Sequence, residues 1–242
     1  EMLRSLVGSE MCIRDRYEGV ILQIGDRMNS IRIEGKRVFA QAGALLSQIA
    51  RKAMEAELTG FEFASGIPGT IGGAMVMNAG AYGGEMAQVV ECVRVMDENG
   101  EILELSGEDM EFGYRTSVIK NRPFTVLEAV LVLKNGEKAC ILQKMDELSR
   151  QRREKQPLEF PSAGSTFKRP EGYFAGKLIM DAGLRGYSIG GAQVSEKHCG
   201  FVVNTGKATA ADVAEVIREV QDRVKDKFGV ALEPEVIFLG DF

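Results

Sequence analysis

The chain has 242 residues, enough for one large domain or two smaller ones with separate cores. Its 45% hydrophobic and 27% charged residues suit a soluble globular protein, and no apolar run approaches the ~20 residues that span a bilayer. A formal net charge of -5 argues against a nucleic-acid surface, yet leaves room for a local basic pocket. The four cysteines, Cys12, Cys92, Cys140 and Cys199, form no CxxC pair, and His198 is the single histidine, so a zinc-type metal site is not expected. Scattered cysteines read as reduced and cytosolic.

Residues 1–16, EMLRSLVGSEMCIRDR, hold no helical or strand period and lack the cationic start and apolar core of a signal peptide. They read as a cloning or library-adapter scar, with a frayed natural terminus as the alternative. From Tyr17 the pattern is orderly. Residues 20–24 (VILQI) predict a buried strand, and 31–33 with 38–40 flank Glu34-Gly35-Lys36 as a hairpin. Residues 44–57 predict an amphipathic helix with Leu45, Leu46, Ile49, Ala53 and Met54 inward. A long Gly-rich segment runs over 60–84. Strands follow at 89–96 and 102–105 around the turn Asp97-Glu98-Asn99-Gly100, and at 125–133.

Residues 137–154 predict a helix with Ile141, Met145 and Leu148 inward. Arg150, Arg152, Arg153 and Lys155 near its end suit the C-terminal helix dipole. Pro157 and Pro161 then break the chain. A short helix is expected around 174–181, a turn at Gly190-Gly191 and a strand at 200–204. Thr209 with Asp212 forms a capping box opening a helix to Phe228, with Val213, Val216, Ile217, Val220, Val224 and Phe228 as its stripe and Gly229 as its stop. A last strand is predicted over 236–239. The class is α+β.

Within the Gly-rich segment, GIPGTIGGA (66–74) continues to NAGAYGG (78–84). Glycines at this density let backbone N–H groups approach a ligand and form an anion-binding nest. No Gly-Lys-Ser/Thr follows, so it is not a Walker loop; the spacing, with Pro68 inside, is not GxGxxG. By itself the pattern fits either a tightly packed connection or a cofactor loop. Other stretches decide between them. GIPGTIGGAMVMNAGAYGGE closely resembles the flavin-contacting segment of the UDP-N-acetylenolpyruvoylglucosamine reductases. EFGYR (111–115), PSAGSTFKRP (161–170) and LEPEV (232–236) match that family in order, as do RREKQP and GAQVSEKHCGFVVN. The resemblance spans roughly residues 17–240 and is closest to the family's shorter form.

What the resemblance implies is an α+β fold: the remainder of a PCMH/VAO-type FAD-binding domain over 17–135, then a smaller α+β substrate-binding domain over 136–242. The C-terminal strand returns to the active site. The implied reaction is the NADPH- and FAD-dependent reduction of UDP-N-acetylglucosamine enolpyruvate to UDP-N-acetylmuramate in peptidoglycan precursor synthesis. Ser165 matches the serine that protonates the enol carbon, Arg115 the arginine that stabilises the developing charge, and Glu235 the glutamate that completes the set. Flavin contacts fall on Gly66, Ile67, Pro68, Gly69, Thr70, Gly72, Gly73, Asn78, Gly80, Ala81 and Tyr82. Substrate contacts fall on Tyr114, Lys155, Lys168, Arg169 and His198; Arg169 departs from the Lys-Asn that the family often carries. The resemblance further implies a cytoplasmic monomer without metal, nucleic-acid or membrane partners. The family's first Gly-rich loop, which holds the flavin diphosphate, lies before the match, so FAD binding that is weak or absent is the expectation.

Each catalytic candidate also has a bland reading: Ser165 as a turn residue, Arg115 as a surface cation, Glu235 as a strand-edge charge. A Ser-His-Asp hydrolase is disfavoured because the GxSxG elbow is absent. The alternatives are another oxidoreductase of the same flavin fold, or an inactive chain that only binds a UDP-sugar.

Overall fold

A computed structural model describes residues 23–238. The readings for residues 1–16, for 20–22 and for Leu239 lie outside the described residues. Strand alternation appears at once: β1 (Ile31–Glu34) turns through Gly35 into β2 (Arg37–Gln41), which sends Val38 and Ala40 into the core. Gln23 and Ile24, expected in a strand, are irregular. Helix α1 (Leu46–Glu55) is shorter than the sequence pattern suggested. Leu45 is held extended by a bridge to Thr70 and is 43% exposed, so it caps the helix instead of joining its apolar face.

The Gly-rich segment is not one open loop. After β3 (Leu58–Thr59) it contains the helix α2 (Ile71–Met77) and then the small hairpin β4 (Gly80–Ala81) and β5 (Gly84–Glu85). The strands β6 (Val90–Met96) and β7 (Ile102–Ser106) pair around the expected turn, where Asp97 accepts the N–H groups of Asn99 and Glu101. A short helix α3 (Val118–Asn121) precedes β8 (Thr125–Val132), β9 (Lys134–Asn135) and the long helix α4 (Lys138–Lys155). The main sheet is antiparallel with the order β1-β2-β8-β6-β7, so β8 closes the sheet between segments far apart in sequence. Val93, Val95, Ala129, Leu131, Ile71 and Met75 fill the core beside it. Burying the larger of these side chains stabilises each by about 1.5–3 kcal/mol.

The described residues divide into two compact units within α4, between Arg152 and Arg153. The second unit holds α5 (Ala175–Asp181), the meander β10 (Ser188–Ile189), β11 (Ala192–Val194) and β12 (Val202–Asn204), and α6 (Ala210–Phe228). The capping box forms as read: Thr209 Oγ1 accepts the Asp212 N–H and Asp212 accepts the Thr209 N–H, which holds the Asp212 carboxyl below its usual range. Val213, Val216, Ile217, Val220 and Val224 are buried, and Gly229 ends the helix in the left-handed region at φ +69°. The predicted strand over 236–239 does not form in its described part. Pro234 has no N–H to donate, and the returning tail pairs only around the bridge Phe167–Pro234. Among the described residues no helix is long and apolar enough to cross a membrane.

Candidate active site

In the first unit the Gly-rich loop is pinned to the segment after β2. Leu46 N–H donates to Gly69, while Ile71 and Gly72 donate to the carbonyls of Ala44 and Ala42. This separates two kinds of glycine. A Cβ on Gly72 would stand 3.0 Å from Ala42, one on Gly80 would meet Gly84 O at 2.7 Å, and one on Gly84 would enter the Phe63 ring at 2.5 Å. Those three serve packing. Gly69 lies at φ +140° with nothing within 4 Å of a Cβ position, and Gly73 faces only the Thr70 hydroxyl at 3.9 Å. Backbone at Gly69 and at Gly73 is therefore open to a ligand, with Ile67, Pro68 and Thr70 around it and Tyr82 44% exposed beyond. Gly66 is exposed and Ala81 partly buried.

Asn78, assigned to flavin contact from sequence, is only 5% exposed and its amide is committed internally. Its Nδ2 donates to Gly113 O at 3.2 Å and its Oδ1 accepts the Ala87 N–H at 2.9 Å. It also ends α2 in the left-handed region at φ 43°, which asparagine tolerates better than most residues. Gly113 begins the four-residue turn that carries Tyr114 and Arg115, closed by reciprocal bonds between Gly113 and Thr116 of 3.1 and 3.4 Å. A second tie comes from buried Ser117, whose hydroxyl donates to Val76 O at 3.0 Å. The Gly-rich loop and the turn bearing Arg115 thus form one braced piece. Sequence reading missed this bracing; an asparagine closing an apolar helix was the one available signal. Arg115 sits at φ +56° with its Nε buried, a backbone state costing a non-glycine residue about 1–2 kcal/mol. Such strain is kept where the side chain must point a particular way. Tyr114 beside it is 64% exposed.

In the second unit, residues 161–168 are clamped on both sides. Toward β12, Asn204 N–H donates to Pro161 O and Thr166 N–H to Gly200 O, each at 2.8 Å, and Thr166 Oγ1 accepts the Val202 N–H at 2.9 Å. Toward the tail, Lys168 N–H donates to Glu233 O at 2.9 Å and Glu235 N–H to Thr166 O at 2.8 Å. Ser165 and Glu235, 70 positions apart, are thereby brought to adjacent rungs. Both are partly buried, and the Ser165 hydroxyl reaches Phe167 O at 3.3 Å. Lys168 is ion-paired with Glu233. Arg169 donates from Nε to Tyr173 O and lies 4.0 Å from the Phe174 ring centroid. Lys155 is exposed.

His198 joins the same cluster through Gly200, whose N–H donates to its Nδ1 at 3.1 Å. Its ring lies edge-on to Phe201, and desolvation pushes its pKa below the ordinary value. The folded state therefore binds a proton less readily than the unfolded chain. Stability from this group is complete above about pH 6.5 and is lost as pH falls through the range toward the depressed value. His198→Gln keeps an acceptor for Gly200 and removes the titration. Its urea midpoint is expected to fall less than the parent's between about pH 7.5 and pH 5; equal falls would show that His198 is not the group responsible.

Comparison with known proteins bears directly on this arrangement. A family model described as "FAD binding domain" matches residues 4–106, beginning inside the stretch read as foreign, and one described as "UDP-N-acetylenolpyruvoylglucosamine reductase, C-terminal domain" matches residues 156–239. The UDP-N-acetylenolpyruvoylglucosamine reductase of Caldanaerobacter subterraneus subsp. tengcongensis is 56% identical over 237 residues, covering 98% of this chain and 77% of that protein. The chain belongs to the UDP-N-acetylenolpyruvoylglucosamine reductase family. The corresponding reductase of Clostridioides difficile is 55% identical over 235 residues, covering 97% of this chain and 77% of that protein. A crystal structure of the reductase from Thermus caldophilus superposes with a TM-score of 0.74 at 40% identity, over 82% of this chain and 71% of that one.

The family's fold and cofactor follow. The chain is an FAD-dependent oxidoreductase with an FAD-binding domain and a second α+β unit. The open backbone at Gly69 and Gly73 fits that cofactor, since no side chain bars close approach of a ring or diphosphate.

Proposed function

We propose that the chain reduces the enolpyruvyl double bond of UDP-N-acetylglucosamine enolpyruvate to UDP-N-acetylmuramate, in the cytoplasm, with NADPH as electron source and as a monomer. Family membership supports the reaction, and the clamped pairing of PSAGSTFKRP with LEPEV is the observation that carries the residue roles. Bound FAD, once reduced, supplies a hydride. The chain's own residues manage charge and proton. Hydride addition at the outer alkene carbon leaves negative charge conjugated with the substrate carboxylate, and the planar fork of Arg115 suits that charge. Ser165 delivers a proton to the inner carbon. A serine hydroxyl is a weak acid, so Glu235 on the adjoining rung completes the charged surroundings it needs. Lys155, Lys168 and Arg169 suit the diphosphate of the UDP group, with Lys168 exchanging Glu233 for phosphate oxygen. Tyr114 and His198 line the substrate.

The test combines two measurements on the purified chain given FAD. With FAD in excess we expect a flavin absorbance change on binding, and NADPH oxidation that requires the enolpyruvyl UDP-sugar and yields the lactyl ether. Substrate affinity with neither colour nor turnover would replace this reading with that of a UDP-sugar binding module.

A further inference from the structure

The segment that carries Ser165 does not run beside β12 in regular register. Asn204 N–H donates to Pro161 O and Ser162 bridges Val203, which sets up an antiparallel ladder. Continued without interruption, that ladder would give the Gly200 carbonyl to the Ser165 N–H and the Val202 N–H to the Ala163 carbonyl. Thr166 takes both places instead. Its N–H donates to Gly200 O at 2.8 Å, and its hydroxyl oxygen accepts the Val202 N–H at 2.9 Å. The run from Pro161 to Thr166 is therefore one residue longer than the run it faces, from Gly200 to Asn204, which makes it a β-bulge. Gly164, at φ +85° with nothing within 4 Å of a Cβ position, supplies the left-handed backbone, and its N–H reaches the Ser162 hydroxyl at 3.4 Å. Ser165 is the residue that the bulge displaces.

Such a bulge leaves a donor to be satisfied at Val202, which is 3% exposed. Unmet, that buried N–H would draw the segment back toward regular pairing, and a one-residue slip turns a side chain to the opposite face. Thr166, itself 2% exposed, meets the donor with a side-chain oxygen that a valine of the same shape lacks. The Thr166 carbonyl also accepts the Glu235 N–H at 2.8 Å, so one residue ties down both the bulge and the tail. We infer that Thr166 is a positioning residue for proton delivery: its hydroxyl stands in for the displaced ladder carbonyl and so holds Ser165 out of register beside Glu235. The inference rests on the reductase reading and deepens the part assigned to Ser165.

Thr166→Val keeps the shape and removes the acceptor, Thr166→Ser keeps the acceptor, and Gly164→Ala strains the bulge without altering Thr166. Each full-length variant, with FAD in excess, is measured for flavin reduction by NADPH, for lactyl ether formation and for amide exchange at Val202. In Thr166→Val the Val202 amide is expected to exchange at least about tenfold faster. The kcat for product should fall about 10- to 100-fold, with the KM for the UDP-sugar within about threefold of the parent's. Flavin reduction should match the parent's, and Thr166→Ser should recover most of both losses. Added to Ser165→Ala, Thr166→Val should lower product formation no further, because it acts through that hydroxyl. A full additional loss in that background, a raised KM with kcat unchanged, or a Val202 amide exchanging as in the parent overturns the inference. If Thr166→Val does not fold, Gly164→Ala decides: it should show the same loss of kcat, and product formation like the parent's overturns the inference. Each of these outcomes leaves the reductase reading standing. A parent chain that forms no lactyl ether overturns that reading instead, while exchange at Val202 still reports whether Thr166 holds the bulge.

Discussion

Ser165→Ala should leave a folded chain whose flavin is still reduced by NADPH, while formation of the lactyl ether falls about 100- to 10,000-fold. The separation of these two outcomes follows from how the serine is held. The bonds that fix residues 161–168 come from backbone, from Thr166 and from the Lys168 ion pair, with partners at Gly200, Val202, Asn204, Glu235 and Glu233. The Ser165 hydroxyl contributes only a long bond of 3.3 Å to Phe167 O, on a partly buried side chain. Its loss therefore costs little stability. What the proposed mechanism then lacks is the proton for the inner alkene carbon. Rapid-mixing absorbance at the flavin band reads the first half-reaction and product analysis reads the second. Product formation within tenfold of the parent would remove Ser165 from the mechanism, and an equal loss in both half-reactions would point to damaged flavin binding instead.

Asn78→Ala is the substitution expected to act on both stability and chemistry. It strands the carbonyl of Gly113 and the N–H of Ala87 in a site only 5% exposed, and it leaves alanine at a left-handed φ of 43°. An unsatisfied buried polar group costs about 1–3 kcal/mol, so a total near 3 kcal/mol is expected from equilibrium denaturation. Gly113 also closes the turn that carries Arg115, so the brace between the Gly-rich loop and that turn is loosened. The kcat of substrate reduction should then fall well beyond what the unfolded fraction explains, with flavin absorbance retained. Asn78→Asp gives the check. Its carboxylate still accepts from Ala87 but repels the Gly113 carbonyl, so it should share alanine's loss of kcat. If Asn78→Asp turns over like the parent, Asn78 is a cap and nothing more.

Local signals were legible wherever one stretch of chain satisfies itself. The Gly35 hairpin, the Asp97 turn and the Thr209–Asp212 box each draw their hydrogen bonds from residues within a few positions, so residue type and spacing suffice. The family motifs carried the reaction class in the same way, because GIPGTIGGA, EFGYR, GSTFK and LEPEV are contiguous strings. Reading failed where a partner lies far along the chain. Leu45 fits the apolar stripe of α1 by periodicity, yet its backbone pairs with Thr70 and is drawn out of the helix. The tail after Pro234 has strand-forming residues but only one bridge to pair with.

The sequence by itself therefore determined the short-range elements, the family and the residue types that its chemistry needs. Tertiary structure alone decided which glycines in the Gly-rich segment pack and which stay open, that Asn78 braces the turn bearing Arg115, and that Ser165 and Glu235 stand on neighbouring rungs. The reason is physical: a Cβ clash, a buried amide's hydrogen bonds and an ion's desolvation depend on atoms that only the folded chain brings within a few ångströms, and no spacing along the string encodes which atoms those will be.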